Sequence, residues 1–165
     1  MMRIIGGNFK GKKLFLPDDK NTRPLKDLVK ESIFNIIRHS NKININIENS
    51  FILDLFSGTG SFGLECISRG AKQVIFFEKY LMAFKILEKN IKCLKDIQNY
   101  KLYNDDCFEY FKSDLSLNYR FDIIFIDPPY KEVRINEIIE RLIKKKLLKK
   151  NGYIFIHRHK NDTVE

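Results

Sequence analysis

The sequence is poor in several residue types, and each shortage excludes a class of protein. Tryptophan is absent, and the 165 residues include only 4 prolines and 3 cysteines. Cys66, Cys93 and Cys107 are too few and too widely spaced for a disulfide framework or a zinc site. No apolar run approaches the roughly 20 residues that span a bilayer, and the N-terminus lacks the apolar segment of a signal peptide. We therefore expect a soluble, cytoplasmic protein with reduced thiols and no metal.

Acidic residues are fewer than basic residues, and this difference indicates what kind of molecule the protein could bind. The 30 lysine and arginine residues outnumber the 21 aspartate and glutamate residues, which gives a formal net charge of +9. A basic surface suits a polyanion such as nucleic acid. The same excess can arise without any ligand in a sequence rich in lysine, asparagine and isoleucine, so charge alone leaves both explanations open. The hydrophobic content of 44% is sufficient for the core of one domain.

From residue 50 onward, strand-like and helix-like segments alternate, which is typical of an α/β fold with a mostly parallel sheet and helices on both faces. The run at residues 121–126 is almost entirely apolar, as expected of a central strand buried on both sides. Together, the predicted strands are residues 51–55, 74–77, 100–103, 121–126 and 152–157. The predicted helices are residues 61–69, 80–94 and 134–146. We expect the main domain to comprise residues 50–165.

Residues 1–49 precede this pattern and are expected to form an extension. Within it, two short β-prone runs separated by glycines predict a hairpin that carries Arg3, Lys10, Lys12 and Lys13. Apolar residues then recur at helical spacing over residues 25–37. Pro24 suits the first turn of this helix because its missing N–H has no intrahelical partner there.

A glycine-rich turn, DLFSGTGSFG, follows the first predicted strand at residues 54–63. Gly58, Gly60 and Gly63 match G-x-G-x-x-G, a pattern that by itself also suits nicotinamide dinucleotide enzymes. Asp54 would place an anion beside a dinucleotide pyrophosphate, whereas S-adenosylmethionine (SAM) has no phosphate and carries a sulfonium and an ammonium group. The acidic residue therefore favours SAM. The alternative is that the glycines only permit close packing of strand and helix.

Polar residues after the next two predicted strands extend this candidate cofactor site. Glu78 ends the second strand, where a carboxylate can accept hydrogen bonds from ribose hydroxyls, a feature that does not separate SAM from a dinucleotide. After the third strand, Asp105 or Asp106 could accept from an adenine amino group, and we prefer Asp106. The alternative is that either aspartate caps the following helix. The residues assigned to the cofactor are Asp54, Ser57, Gly58, Gly60, Glu78, Asp106 and Cys107.

The second motif is Asp-Pro-Pro-Tyr, directly after the predicted central strand. A nucleobase amino group is a poor nucleophile because its lone pair is delocalised into the ring. The carboxylate of Asp127 and the carbonyl of Pro128 can each accept one N–H, which directs the remaining electron density toward a sulfonium methyl group. Pro129 restricts Pro128 to extended geometry, and Tyr130 offers an aromatic face to an unstacked base. For the Asp-Pro-Pro triplet alone, the alternative is a tight turn.

These motifs resemble the bacterial 16S ribosomal RNA guanine-N2 methyltransferases of the RsmD type over nearly the whole chain. The discriminating elements are Arg-Ile-Ile-Gly-Gly at residues 3–7 and Thr-Arg-Pro at residues 22–24, because related amino-methylases that act on DNA and protein share the other motifs. The resemblance implies a Rossmann-like SAM-dependent methyltransferase fold and methylation of one guanine in the small-subunit RNA or its assembly intermediate. It also implies that the hairpin and Arg23 contact RNA, and we expect a monomer.

The sequence departs from that family at Leu25, where a second threonine is usual, and at His157, where many members have glutamate. No histidine is assigned to the chemistry. Such folds usually finish with two more strands, so we expect either a truncated chain or a sheet that is short at one edge. One alternative function is an adenine-N6 DNA methyltransferase, which would normally need a target-recognition region between the motifs. The other is an RNA-binding protein without catalysis, which the pairing of Asp54 with Asp127 and Tyr130 disfavours.

Overall fold

The computed structural model describes residues 2–20, 22 and 24–158. Two short strands, β1 (Met2–Arg3) and β2 (Lys13–Leu14), pair antiparallel, and a 3-10 turn at Gly7–Phe9 lies between them. The predicted hairpin is therefore present, although its ladder contains only two residue pairs. The next helix, α1, spans Asp27–His39. It begins after the predicted Pro24 start because Lys26 is still extended, with φ −63° and ψ 145°.

Five parallel strands form the main sheet, as the sequence predicted, in the order β5-β4-β3-β6-β7. The strands are β3 (Phe51–Leu55), β4 (Gln73–Phe77), β5 (Tyr100–Tyr103), β6 (Phe121–Ile126) and β7 (Leu148–Ile156). The helices between them are α2 (Ser61–Ser68), α3 (Leu81–Lys92), α4 (Cys107–Lys112) and α5 (Ile135–Lys144).

Alternate residues of the central strands enter two separate hydrophobic clusters, one on each face of the sheet. Ile52 and Phe125 pack with side chains of α1, α2 and α3, whereas Leu53 and Ile124 pack with α4 and α5. This two-sided burial explains the nearly continuous apolar runs, because a strand covered on both faces has no solvent-facing positions. None of the helices in the described part of the chain is long and apolar enough to cross a membrane.

Strand β7 begins earlier than the sequence predicted. Leu148 already pairs with Phe121, and a register shift precedes the pairing of Tyr153 with Ile123. The intervening residues are polar, so no apolar pattern marks them as a strand. Lys149 lies in this early part of β7, with its Nζ 2.8 Å from Asp122 Oδ2.

The N-terminal extension packs closely against α2. Lys30 and Glu65 are both fully buried, with Lys30 Nζ 3.4 Å from Glu65 Oε2. Glu65 also accepts from the backbone N–H of Ile5 at 2.9 Å, and Lys30 donates to the hydroxyl of Ser61 at 3.2 Å. Met2 lies in the same hydrophobic cluster as residues of α2 and α3. The boundary at residue 49 stays a prediction.

Candidate active site

The chain runs from β3 outward to β5 and then returns to β6 beside β3, so the strand order reverses between these two neighbours. The carboxyl ends of parallel strands at such a reversal leave a crevice. Because Leu55 pairs with Ile126, the glycine turn and the Asp-Pro-Pro-Tyr loop leave the sheet side by side. A cavity of about 420 Å³ lies there, and its lining includes Phe56, Gly58, Glu78, Asp106, Cys107, Asp127, Pro128, Pro129 and Tyr130.

Backbone hydrogen bonds fix the glycine turn. The N–H of Ser57 donates to the carbonyl of Phe77 at 2.8 Å, and the Ser57 hydroxyl donates to the carbonyl of Asp54 at 2.7 Å. Gly60 has φ +89°, and a Cβ there would lie 2.3 Å from Leu87 Cδ1. Gly58 lines the cavity, whereas Ser57 and Gly60 shape the turn without lining it.

Asp54 lies near the end of β3 and is only 1% exposed. Its Oδ2 accepts from the N–H of Gly63 at 3.1 Å, and its buried Oδ1 has no hydrogen-bond partner among the described residues. Burial raises the pKa of this carboxyl well above its ordinary value, and the charges of Asp127 and Glu78 raise it further. The site therefore holds a buried acid for which a cationic ligand would be a favourable partner.

Glu78 follows β4 and contributes a second acid to the cavity. Its Oε2 accepts from the N–H of Gly58 at 2.7 Å, and its Oε1 accepts from the N–H of Tyr80 at 2.8 Å. Burial raises the pKa of Glu78, although these two hydrogen bonds oppose the increase. Each oxygen keeps acceptor capacity toward the cavity, which suits a pair of ribose hydroxyls.

Asp106 and Cys107 border the cavity after β5. Asp106 Oδ1 accepts from the N–H of Phe108 at 2.9 Å, so this residue does cap α4, and its Oδ2 lies 3.4 Å from Lys79 Nζ. Burial raises the pKa of the Cys107 thiol to about 12. Cys107 is therefore a neutral apolar contact at physiological pH.

The Asp-Pro-Pro-Tyr loop forms the opposite side of the cavity. Asp127 Oδ1 lies 2.8 Å from His157 Nδ1, and the carbonyl of Pro129 accepts from the N–H of Glu132 at 2.9 Å. Tyr130 is 64% exposed at the rim, where its ring can meet an incoming base. The catalytic roles of these residues stay predictions.

Sequence reasoning missed the contribution of the N-terminal extension to the cavity. Lys20, Thr22, Pro24 and Leu25 all line it. The hydroxyl of Thr22 is buried and has no hydrogen-bond partner among the described residues. The extension therefore forms part of the cavity wall. The Thr-Arg-Pro element could have predicted this contribution, because the family resemblance had singled it out without assigning a contact to Thr22.

His157 was also missed. It follows β7, and its N–H donates to the carbonyl of Ile126 at 2.9 Å, which places it beside the end of β6. The sequence did contain a signal for this contact: a histidine follows a strand, and that strand neighbours the one that carries the Asp-Pro-Pro-Tyr motif. Only the strand order shows that the two strands are neighbours.

The hairpin residues predicted to bind RNA, Arg3, Lys10, Lys12 and Lys13, do not line this cavity. The exposed Lys10, Lys12 and Lys13 belong to the hairpin, and Arg3 Nε lies 3.5 Å from Asp27 Oδ2. The hairpin turn contacts the C-terminal end of α2, where Ser68 Oγ donates to the carbonyl of Gly6 at 2.6 Å. The glycine turn lies at the other end of this helix, which is 8 residues or about 12 Å long. Arg23 lies outside the described residues.

The residues in and around the cavity fit SAM chemically, although Asp54 is itself buried and does not line the cavity. The unpartnered Asp54 oxygen suits a cation, and Glu78 can accept from ribose hydroxyls. Within residues 2–20, 22 and 24–158, no group of three histidine, cysteine, aspartate or glutamate side chains is arranged to hold a metal ion.

The sheet order, the glycine turn and the acids at the carboxyl ends of β3 and β4 define a Rossmann-like methyltransferase fold. A solved structure from Escherichia coli, provisionally named a methyltransferase, shares this fold with a TM-score of 0.78 and 29% identity, over 94% of this chain and 78% of that one. The sequence profile of the family described as Conserved hypothetical protein 95 matches residues 2–165. The chain belongs to this family, that of the RsmD-type methyltransferases, as the resemblance predicted.

Two relatives carry the name ribosomal RNA small subunit methyltransferase D. The protein from Buchnera aphidicola is 35% identical over 161 residues, which is 98% of this chain and 80% of the relative. The protein from Haemophilus influenzae is 32% identical over 164 residues, which is 99% of this chain and 81% of the relative. Similarity of this extent includes the N-terminal extension as well as the sheet.

Proposed function

We propose that this chain is a SAM-dependent methyltransferase that modifies the exocyclic N2 amine of a guanine in small-subunit ribosomal RNA. The observation that carries the proposal is the shared cavity, which brings the glycine turn after β3 and the Asp-Pro-Pro-Tyr loop after β6 together. The names of the relatives support ribosomal RNA as the substrate. The choice of guanine N2 is supported by the sequence resemblance.

On the donor side, Asp54 and Glu78 would hold SAM, whose cationic sulfur would supply the methyl group through cleavage of its S–CH3 bond and leave as a neutral thioether. The buried Asp54 carboxylate compensates positive charge where water is excluded, and this electrostatic interaction is strong in such surroundings. Glu78 is already held by the N–H groups of Gly58 and Tyr80, so its carboxylate is oriented before the ribose arrives. Rigid acceptors of this kind reduce the entropy lost on binding.

On the acceptor side, the Asp-Pro-Pro-Tyr loop positions the target amine. Asp127 Oδ2 and the carbonyl of Pro128 each accept one N–H, so the nitrogen lone pair is aimed at the methyl carbon. Asp127 would also stabilise the positive charge that develops on the nitrogen, until the nitrogen releases one proton to solvent and becomes the neutral methylamine. Tyr130 provides the face on which the base stacks once it leaves its neighbours.

The first prediction tests this division of labour with Asp127→Ala. We expect methyl transfer to fall by about 100-fold or more, because an oriented charged acceptor is lost. The dissociation constant for SAM should stay within a few fold, since Asp54 and Glu78 are intact. The assay incubates the protein with labelled SAM and small-subunit RNA or particles from cells that lack the modification, then digests the RNA and identifies the methylated nucleoside.

Asp114→Ala, which removes an exposed carboxylate from the loop after α4, is the control and should leave both quantities unchanged. Parallel loss of transfer and SAM binding in Asp127→Ala would contradict the proposed division. A product other than N2-methylguanosine would contradict the proposed substrate.

A further inference from the structure

Asp127 has a hydrogen-bond partner that the proposed reaction does not require. The Nδ1 atom of His157 lies 2.8 Å from Asp127 Oδ1, and the two side chains are 28% and 24% exposed. The backbone of His157 is fixed beside β6 by its hydrogen bond to the carbonyl of Ile126. The imidazole and the carboxylate are thus brought together from neighbouring strands, and both line the cavity.

We propose that His157 is a positioning residue for Asp127 and makes methyl transfer dependent on pH. In the neutral imidazole with its proton on Nδ1, that N–H donates to Oδ1 and leaves Oδ2 to accept from the target amine. The role rests on the proposed function, in which Asp127 orients that amine. A carboxylate without such a partner samples many rotations about its terminal torsion, and this freedom is lost when the amine binds.

Protonation of His157 would change this arrangement. The hydrogen bond would become an ion pair, and the imidazolium charge would offset the Asp127 charge needed as the target nitrogen becomes positive. An unperturbed imidazole titrates near pH 6.5. Transfer should therefore weaken as the pH falls through the His157 midpoint. Besides the pair itself, the charged groups that line the cavity are Lys20, Glu78, Lys79, Asp105 and Asp106 from other segments and Arg158, the residue after His157.

Two substitutions separate positioning from packing. His157→Leu keeps an apolar side chain of similar reach but removes the donor, whereas His157→Asn keeps an N–H donor near the Nδ1 position and cannot titrate in this range. His39→Leu, at the exposed end of α1, removes an unrelated imidazole and is the control.

We expect His157→Leu to lower kcat about tenfold, the loss of one charge-assisted hydrogen bond, with the KM for SAM nearly unchanged. His157→Asn should retain kcat within about threefold of the unmodified protein, because its side chain still donates. The decline of kcat on the acidic side of the pH profile should be absent from His157→Asn and present in the His39→Leu control.

A second measurement tests the pairing of His157 with Asp127 and does not require methyl transfer. The pH midpoint of the His157 imidazole, followed by NMR, should move to lower pH in Asp127→Asn because the neighbouring negative charge is removed. The same midpoint in both proteins would overturn the pairing. The positioning role would be overturned if His157→Leu kept full kcat and an unchanged pH profile. It would also be overturned if the Leu and Asn variants lost the same amount of kcat and the same amount of thermal stability. If the unmodified protein methylates no RNA, the proposed function fails, whereas a shifted midpoint would still support the pairing.

Discussion

Asp54 is buried where the ligand-free protein does not stabilise a negative charge. The carboxyl is buried, and its raised pKa means that the folded protein retains a proton that the unfolded chain releases. The free energy of unfolding should therefore fall as the pH rises from the ordinary aspartate value through the raised pKa. Glu78, whose pKa is also raised by burial, contributes with the same sign. A bound cation reverses this penalty because it favours the ionised carboxylates.

Asp54→Asn tests this account. Near neutral pH the variant should raise the free energy of unfolding of the ligand-free protein, because folding no longer requires a carboxylate to take up a proton or to be buried as a charge. It should weaken SAM binding about tenfold or more, as a charge-assisted contact is lost. Binding to the unmodified protein should tighten as the pH rises through the raised pKa of Asp54. Urea denaturation and isothermal titration calorimetry at several pH values measure these effects.

Glu78 is present in both proteins, so the difference between their pH profiles isolates Asp54. An identical pH dependence of SAM binding in the two proteins would contradict a role for the ionised Asp54 carboxylate. A loss of stability in the variant would contradict the account that the buried carboxyl destabilises the ligand-free protein, because the asparagine oxygen can still accept from the N–H of Gly63.

The turn between β3 and α2 requires glycine for two reasons, a left-handed backbone conformation and close packing. Gly60 meets both, because its φ is +89° and any Cβ would enter the space of Leu87. Gly11, in the hairpin, has almost the same φ of +87°, but a Cβ added there would have no atom within 4 Å. The two glycines therefore allow backbone strain to be measured separately from packing.

Gly11→Ala should destabilise the protein by about 1–2 kcal/mol, the cost of a side chain in the left-handed region. Gly60→Ala should cost about 1–3 kcal/mol more, because Leu87 and the α3 helix must shift. Urea denaturation compares the two variants, and SAM binding is measured in parallel. Equal destabilisation would mean that the Gly60 turn accommodates a methyl group without movement of α3.

The N-terminal extension spans the molecule along α2 and serves two regions of it. At one end it supplies Thr22 and Leu25 to the cavity, and at the other it presents the exposed hairpin lysines beside Ser68. A nucleic acid that touched both Tyr130 and these lysines would have to extend over at least the length of α2. Such a contact suits folded RNA better than a single short loop.

Replacement of Lys10, Lys12 and Lys13 with alanine should weaken RNA binding and reduce the salt dependence of the association constant. Three lost phosphate contacts correspond to a decrease of about 2 in the slope of log K against log salt for single-stranded RNA. The matched control replaces the exposed Lys92, Lys95 and Lys112, which changes the net charge equally at another surface. An unchanged slope in the hairpin variant, or an equal decrease in both, would remove the hairpin from the specific interface.

Local sequence patterns were sufficient for much of the fold. The strands at Phe51–Leu55, Tyr100–Tyr103 and Phe121–Ile126 were predicted with the bounds that the structure has. Burial of these strands restricts their side chains to apolar types, and glycines mark the turn after β3. The start of β7 was missed because Lys149, Lys150 and Asn151 interrupt its apolar pattern, and an edge position requires no continuous apolar run.

The chain itself thus indicated the glycine turn and the Asp-Pro-Pro-Tyr loop as the candidate site, since each is a contiguous motif whose proposed chemistry depends on neighbouring residues. Tertiary structure decided which distant residues join them. His157 meets Asp127 across 30 positions because β7 pairs with β6. Thr22 reaches the cavity because the segment before it is held against α3, where Phe15 exchanges hydrogen bonds with Asn90. Such contacts depend on strand order and on the packing of buried groups, which no local pattern of residues encodes.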